Sequence, residues 1–138
     1  MTKEFLADNI ETIAKKYNID FIVYFGSYLT EFYNSESDID IGYLSKCVLN
    51  AAQKMEFFKD LIIFHRKSEI DLVDLKTAEP VLKHEVALNA KILYEREPYL
   101  FERYSLYYIK KYYELKPTIE EEVKNIGNAI KEVITNAR

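Results

Sequence analysis

Gly26-Ser27, a gap of ten residues, and then Asp38-Ile39-Asp40 hold the side chains best suited to chemistry in this chain. The stretch sits between two apolar runs, Phe21 to Phe25 and Ile39 to Leu44, so it reads as strand, tight turn, loop, strand. Gly26 lets the backbone turn sharply and come close to a phosphate, and Ser27 adds a hydroxyl and an N–H. Asp38 and Asp40 are two apart, so on a strand both side chains leave the same face. Two carboxylates that close repel unless a cation lies between them. Magnesium, which takes oxygen ligands and travels with triphosphates, would resolve the repulsion. A lone D-x-D is usually a solvated turn, and a lone Gly-Ser is an ordinary strand end. The fixed combination is another matter, since it should arise by chance in on the order of one in a thousand chains of this length. It outlines a site for nucleotidyl transfer.

Asp71 is the third carboxylate, in the strand Glu69-Ile70-Asp71-Leu72-Val73-Asp74-Leu75. If the Ile70 and Leu72 side packs on helices, Asp71 shares the open face with Asp38 and Asp40. Asp74 then falls near the strand end, as a solvated or capping residue. His65 and His84 are isolated and lack metal-ligand spacing, so they read as satisfied histidines. Cys47 reads as a packed thiol. The tyrosines 104, 107, 108, 112 and 113 follow helical spacing, which suggests packing first and a docking face second.

The elements that must position these groups follow from periodicity. Residues 3 to 17 carry a helical stripe that Asn18 ends. Residues 20 to 26 form a buried strand, 38 to 44 an alternating one, and 47 to 65 a long helix. The strand 69 to 75 is followed by a helix from about Thr77 to Leu88, with Pro80 in its first turn. Asn89 is expected in a left-handed conformation before the strand Lys91 to Tyr94. Helix resumes at Tyr99, and Pro117, Thr118 and Glu121 read as the capping-box start of a further one. From there Ile119, Val123, Ile126, Ile130 and Val133 recur at spacings of three and four. The order predicts an α+β fold, with a small mixed sheet backed by helices on one face and its acidic strands facing the other way.

At 138 residues the chain is expected to form one domain, with residues 1–96 as its core and 97–138 as a helical extension. The net charge of −4 argues against broad binding to nucleic-acid backbone but not against a magnesium-bound nucleotide. A single cysteine gives no disulfide framework. The polar start carries no signal core, and no apolar run approaches a membrane span, so a cytoplasmic setting is expected.

The pattern G-S-x10-D-x-D, with the later lone acid in Ile70-Asp71-Leu72-Val73, resembles the minimal nucleotidyltransferases of the DNA polymerase β superfamily. The length and the segment Lys91 to Arg96 are similar to the MNT, or MntA-like, antitoxins, which pair with HEPN ribonuclease toxins. The resemblance covers roughly residues 20 to 96. It implies transfer of AMP from ATP to a tyrosine of a cognate HEPN toxin. By position, Gly26 and Ser27 would hold the triphosphate, Asp38 and Asp40 the magnesium ions, and Asp71 would complete the site. The chain departs from its relatives after Ser27, where Tyr28-Leu29-Thr30-Glu31-Phe32 replaces small and basic residues. A cation for the phosphates is then expected from Lys67, another part of the chain, or the partner. Two other readings stand beside this one: a small-molecule (antibiotic) nucleotidyltransferase, and an antitoxin that neutralises by binding alone. The short segment after Pro98 leaves little room for the substrate domain that the first of these needs.

Overall fold

Strand β1, Ile19–Phe25, is apolar almost throughout because it is buried on both faces. It lies inside a four-stranded sheet, antiparallel to β2 (Ile39–Ser45) on one side and to β4 (Lys91–Glu95) on the other. Strand β3 (Ile70–Asp74) runs parallel to β2, which gives the order β3-β2-β1-β4. A parallel neighbour needs a crossover, and α2 (Ala51–His65) provides it. The computed structural model describes residues 9–136. The apolar positions Phe5 and Leu6, read from sequence as part of the first helix, lie outside the described residues.

The helices begin and end on short polar signals. Helix α1 (Ile10–Lys16) starts at Asn9, whose side chain accepts from the N–H groups of Glu11 and Thr12, and Asn18 closes the turn after it at φ 54°. Helix α2 opens with a reciprocal Asn50–Gln53 capping box and closes on Arg66 at φ 53°. Helix α3 (Pro80–Asn89) has its proline at the first position, where no N–H is missed. Thr77 lies in the turn before it. Asn89 is the last helical residue, not a left-handed one, and Ala90 continues in extended backbone at φ −69°, ψ 153°. The left-handed residue of this region is Tyr99, at φ 68° just before α4 (Leu100–Asn136).

Two apolar layers hold the sheet. On one face Ile13 and Tyr17 of α1 and Phe57 and Leu61 of α2 pack on Ile22, Ile41 and Tyr43. The face expected to be open is covered as well: Phe21, Val23 and Phe25 meet Leu75, Val86 of α3, and Phe101 and Tyr104 of α4. Gly42 makes this possible, since a Cβ there would lie 3.1 Å from Leu75 Cδ1. The acidic face is therefore a rim at the Asp40 end, and two residues further along β2 the same face is core.

Helix α4 is one helix of 37 residues with Pro117 inside it, so the second helix start expected at Pro117 does not occur. Proline has no N–H to offer the carbonyl four residues earlier, that of Tyr113. Both residues are exposed there, and water can serve the carbonyl instead. No described helix is long and apolar enough to cross a membrane.

Phe57 is fully buried, with its ring centroid 5.2 Å from that of Tyr17 and 5.1 Å from that of Tyr43. Phe57→Ala is expected to cost about 3–5 kcal/mol in urea unfolding, the range for an aromatic truncated in a packed core. A loss below about 1 kcal/mol would show that this layer does not hold the sheet.

Candidate active site

Asp40, the second residue of β2, is in register with Phe25 of β1 and Asp71 of β3. One row across three strands thus carries two carboxylates side by side on one face, with the turn at Gly26 next to them. Gly26 has φ 70°, and the Asp40 carboxylate oxygen Oδ2 occupies the space a Cβ would need. Glycine is required there twice over, by backbone conformation and by the acid above it. A 3₁₀ turn, Gly26–Leu29, follows, and Thr30 closes it by donating from its N–H and its hydroxyl to the Ser27 carbonyl at 2.9 and 2.8 Å. Ser27 itself is exposed.

Asp38 is exposed just before β2, and the Ile39 N–H donates to the Glu69 carbonyl at 2.9 Å, tying the two strand starts together. Asp71 is exposed. Burial, then the neighbouring charges of Asp71 and Asp38, hold the Asp40 carboxyl above its ordinary value. A hydrogen bond with Asp71 and the charge of Glu85, on α3, push the same way. The structure thus brings Asp38, Asp40 and Asp71 together beside Gly26 and Ser27, and adds Glu85. Nothing in the local sequence marked Glu85, because its nearness depends on how α3 docks.

Asp74 lies apart. It was expected to be solvated or capping, and only the second holds. Its side chain is 9% exposed, Oδ1 accepts from the Lys76 N–H at 2.9 Å, and Lys54 Nζ stands 3.7 Å from Oδ2. Cys47 is exposed rather than packed.

The residues that replace the expected basic ones after Ser27 build a wall. Tyr24, Tyr28 and Tyr33 pack in series, the first pair tilted and the second edge to face, each with centroids 4.8 Å apart. The Tyr24 hydroxyl donates to His65 Nε2 at 2.7 Å while His65 Nδ1 donates to the Leu61 carbonyl at 2.8 Å. Burial holds the His65 ring below its ordinary value, which suits this neutral, bridging role. Lys67 caps the wall at the other end: Nζ donates to the Ser35 carbonyl at 2.7 Å and lies 5.2 Å over the Tyr33 ring. Beside the turn a cleft of about 650 Å³ opens between Tyr24, Tyr28, Thr30 and Lys91. Lys91 is a cation next to the turn that sequence reasoning did not single out, because it is brought there by pairing with Tyr24 across strands.

Hard carboxylate oxygens on a rim with uncompensated negative charge suit magnesium. Among the described residues no three His, Cys, Asp or Glu side chains already converge on one point as a finished cage. The donor set therefore fits the metal in its chemistry and its excess charge.

Residues 8–99 match the family described as Polymerase beta, Nucleotidyltransferase. The chain belongs to that family. Among solved structures, it resembles a chain of a toxin–antitoxin complex with AMP-PNP, at 24% identity over 91% of this chain and 98% of that one, TM-score 0.71. It is similar to a chain of the tri-AMPylated Shewanella oneidensis HEPN toxin in complex with MNT antitoxin, at 25% identity over 89% and 98%, TM-score 0.67. A mutant of the toxin–antitoxin MntA-HpeT matches at 26% identity over 85% and 94%, TM-score 0.66. A comparison with curated proteins finds no match.

The raised Asp40 pKa has a consequence for stability. A carboxyl whose folded pKa lies above its unfolded one destabilises the fold when both states are ionised. The penalty is absent below the ordinary value of 3.8, grows as pH rises from there to the folded value, and is complete above it. Asp40→Asn is expected to raise the melting temperature at neutral pH by a few degrees, with the gain vanishing below the ordinary carboxyl range. An equal gain at both pH values would show that the repulsion is not its source.

Proposed function

We propose that this chain transfers AMP from ATP to a tyrosine hydroxyl of a cognate HEPN-type toxin and so acts as its antitoxin in the cytoplasm. The observation that carries the reading is the row Asp71–Asp40–Gly26, a carboxylate pair set directly against a phosphate-sized backbone turn. Support comes from the family match and from relatives solved with AMP-PNP or with an AMPylated toxin.

In this reading Gly26 and Ser27 present backbone N–H groups and the Ser27 hydroxyl to the triphosphate. Asp38, Asp40 and Asp71 would hold magnesium, which supplies charge neutralisation to the phosphates when bound. The acceptor hydroxyl oxygen attacks the α-phosphorus in line, the bond to the bridging oxygen breaks, and pyrophosphate leaves. Asp71, exposed beside Asp40, is placed to receive the hydroxyl proton. Lys91, paired with Tyr24 on the sheet face opposite the acid row, would reach a phosphate only around the end of the turn, from the cleft. In the same reading residues 1–96 carry this chemistry, and 97–138 extend the same domain, with Leu100–Asn136 as its helix.

The test is intact mass of the cognate toxin after incubation with this chain, ATP and magnesium. The wild type is expected to add one or more adenylyl groups. Asp38→Ala and Asp40→Ala are each expected to lose at least about a thousandfold in rate while keeping the wild-type far-ultraviolet spectrum. Full transfer by either folded variant would end the assignment. Neutralisation of the toxin by these variants with no mass added would favour an antitoxin that works by binding alone.

A further inference from the structure

The face of α4 that packs on the body in its first half continues, in phase, along a second half that is exposed among the described residues. Phe101, Tyr104, Tyr108, Tyr112 and Leu115 recur at spacings of three and four, and the first two are core. The same spacing runs on through Ile119, Val123, Ile126, Ile130 and Val133. From Val123 onward these side chains are 54–69% exposed. The helix therefore overhangs the body with its apolar stripe turned to the body's own side. At about 1.5 Å per residue the overhang from Ile119 is roughly 25 Å long.

A cleft of about 230 Å³ marks the root of the overhang, between the first turn of α3 and α4. Lys83 and Lys111 line it together with Tyr107, Tyr108 and Tyr112. Lys83 Nζ lies 4.7 Å over the Tyr108 ring, and the His84 ring stacks on Tyr112 at 3.8 Å, stiffening that wall. Lys111 Nζ stands 3.9 Å from Glu114 Oε2 and Lys83 Nζ also donates to the Lys76 carbonyl at 3.3 Å, and with two ammonium groups on its lining the cleft suits a further carboxylate from outside. A seat of this kind pairs a long apolar strip with one basic anchor point.

The occupant follows from the dimensions. Ile119 to Val133 is about two heptads, whereas a coiled coil of this chain with itself calls for three or four. Isoleucine and valine at both seam positions do not select a two-stranded pair. Gly127 and Ala129 flank the stripe and Ile134 extends it, so the apolar strip is wider than a two-helix seam. A parallel second copy would also run into the body, which already occupies the first half of the same face. These features fit a partner that offers a groove between two helices.

We propose that the overhang from Ile119 to Val133, with the Lys83/Lys111 cleft at its root, seats the helical protein partner, and that an acidic side chain of that partner enters the cleft. The inference rests on the toxin reading above and locates where the toxin docks. It separates the function spatially: Lys83 and His84 of α3 line or stiffen the seat, while Glu85 of the same helix acts on Asp40. Docking on one side of α3 delivers the acceptor to the other.

The experiment measures affinity of the cognate toxin for the full chain by biolayer interferometry, alongside calorimetry of ATP with magnesium. Ile126→Gln/Ile130→Gln keeps helix-forming residues and is expected to weaken toxin binding by about 100-fold or more, the scale of interface hot spots. Its ATP binding is expected to match the wild type. Lys111→Glu is expected to weaken binding about tenfold and to reduce its salt dependence. Should the double variant lose helicity by circular dichroism, Val123→Gln carries the same expectation at smaller size. Wild-type toxin affinity in a folded stripe variant overturns the inference. So does a concentration-dependent dimer of this chain, seen by sedimentation, that the stripe variant abolishes while toxin affinity stays intact. A wild-type chain that binds ATP with magnesium but not the toxin removes the toxin reading as well.

Discussion

The arrangement depends on the sheet register that sets a half-buried carboxylate against a backbone turn. Asp40 stands against Gly26 on one side and Asp71 on the other, with Asp38 two residues before it. Sheet register fixes all of these positions, and a slip by one residue would turn the acids into the opposite layer. The remaining elements serve that register. Helix α2 carries the chain back so that β3 can lie parallel to β2, which is what sets Asp71 beside Asp40. Phe21 and Val23 anchor β1 in the covered face, so the Gly26 turn emerges at a fixed height next to the acids. The fold contributes electrostatic strain at one rim and holds it with apolar contacts elsewhere.

Side-chain chemistry divides along the chain in the same way. The sheet end gathers carboxylates, a backbone turn and the cleft with Lys91. The long helix gathers apolar and tyrosine side chains. Helix α3 is the link, since Glu85 acts on Asp40 and Lys83 faces the helix cleft. The tyrosine wall from Tyr24 to Tyr33, closed by Lys67 and braced by His65, keeps the loop after the turn in place without basic residues.

Most of the fold was legible because the signals are local. Alternation marked β2, continuous apolar residues marked β1, and the spacing of the acids marked which carboxylates share a face. What escaped was set by tertiary contact. The second apolar layer could not be read from β2, where Gly42 looks like an exposed position until Leu75 fills the space beside it. Pro117 looked like a helix start because its neighbours match a capping box, yet an exposed proline is tolerated inside a helix when water serves the orphaned carbonyl. Asn89 looked left-handed because the chain must reverse there, but Ala90 makes the turn in extended backbone. Glu85 reaches Asp40 through helix docking and Lys91 reaches the cleft beside the turn through strand pairing, and neither leaves a trace in its own neighbourhood.

In the proposed function this rim accepts a triphosphate only when a divalent cation balances its carboxylates. Isothermal titration calorimetry of ATP into the chain, with magnesium and again with the metal chelated away, separates the two conditions. Measurable, saturable binding is expected with magnesium, and a loss of at least about tenfold in affinity without it, from the mutual repulsion of acids and phosphates. Equal affinity in the two conditions would contradict it and would place the nucleotide away from Asp38, Asp40 and Asp71.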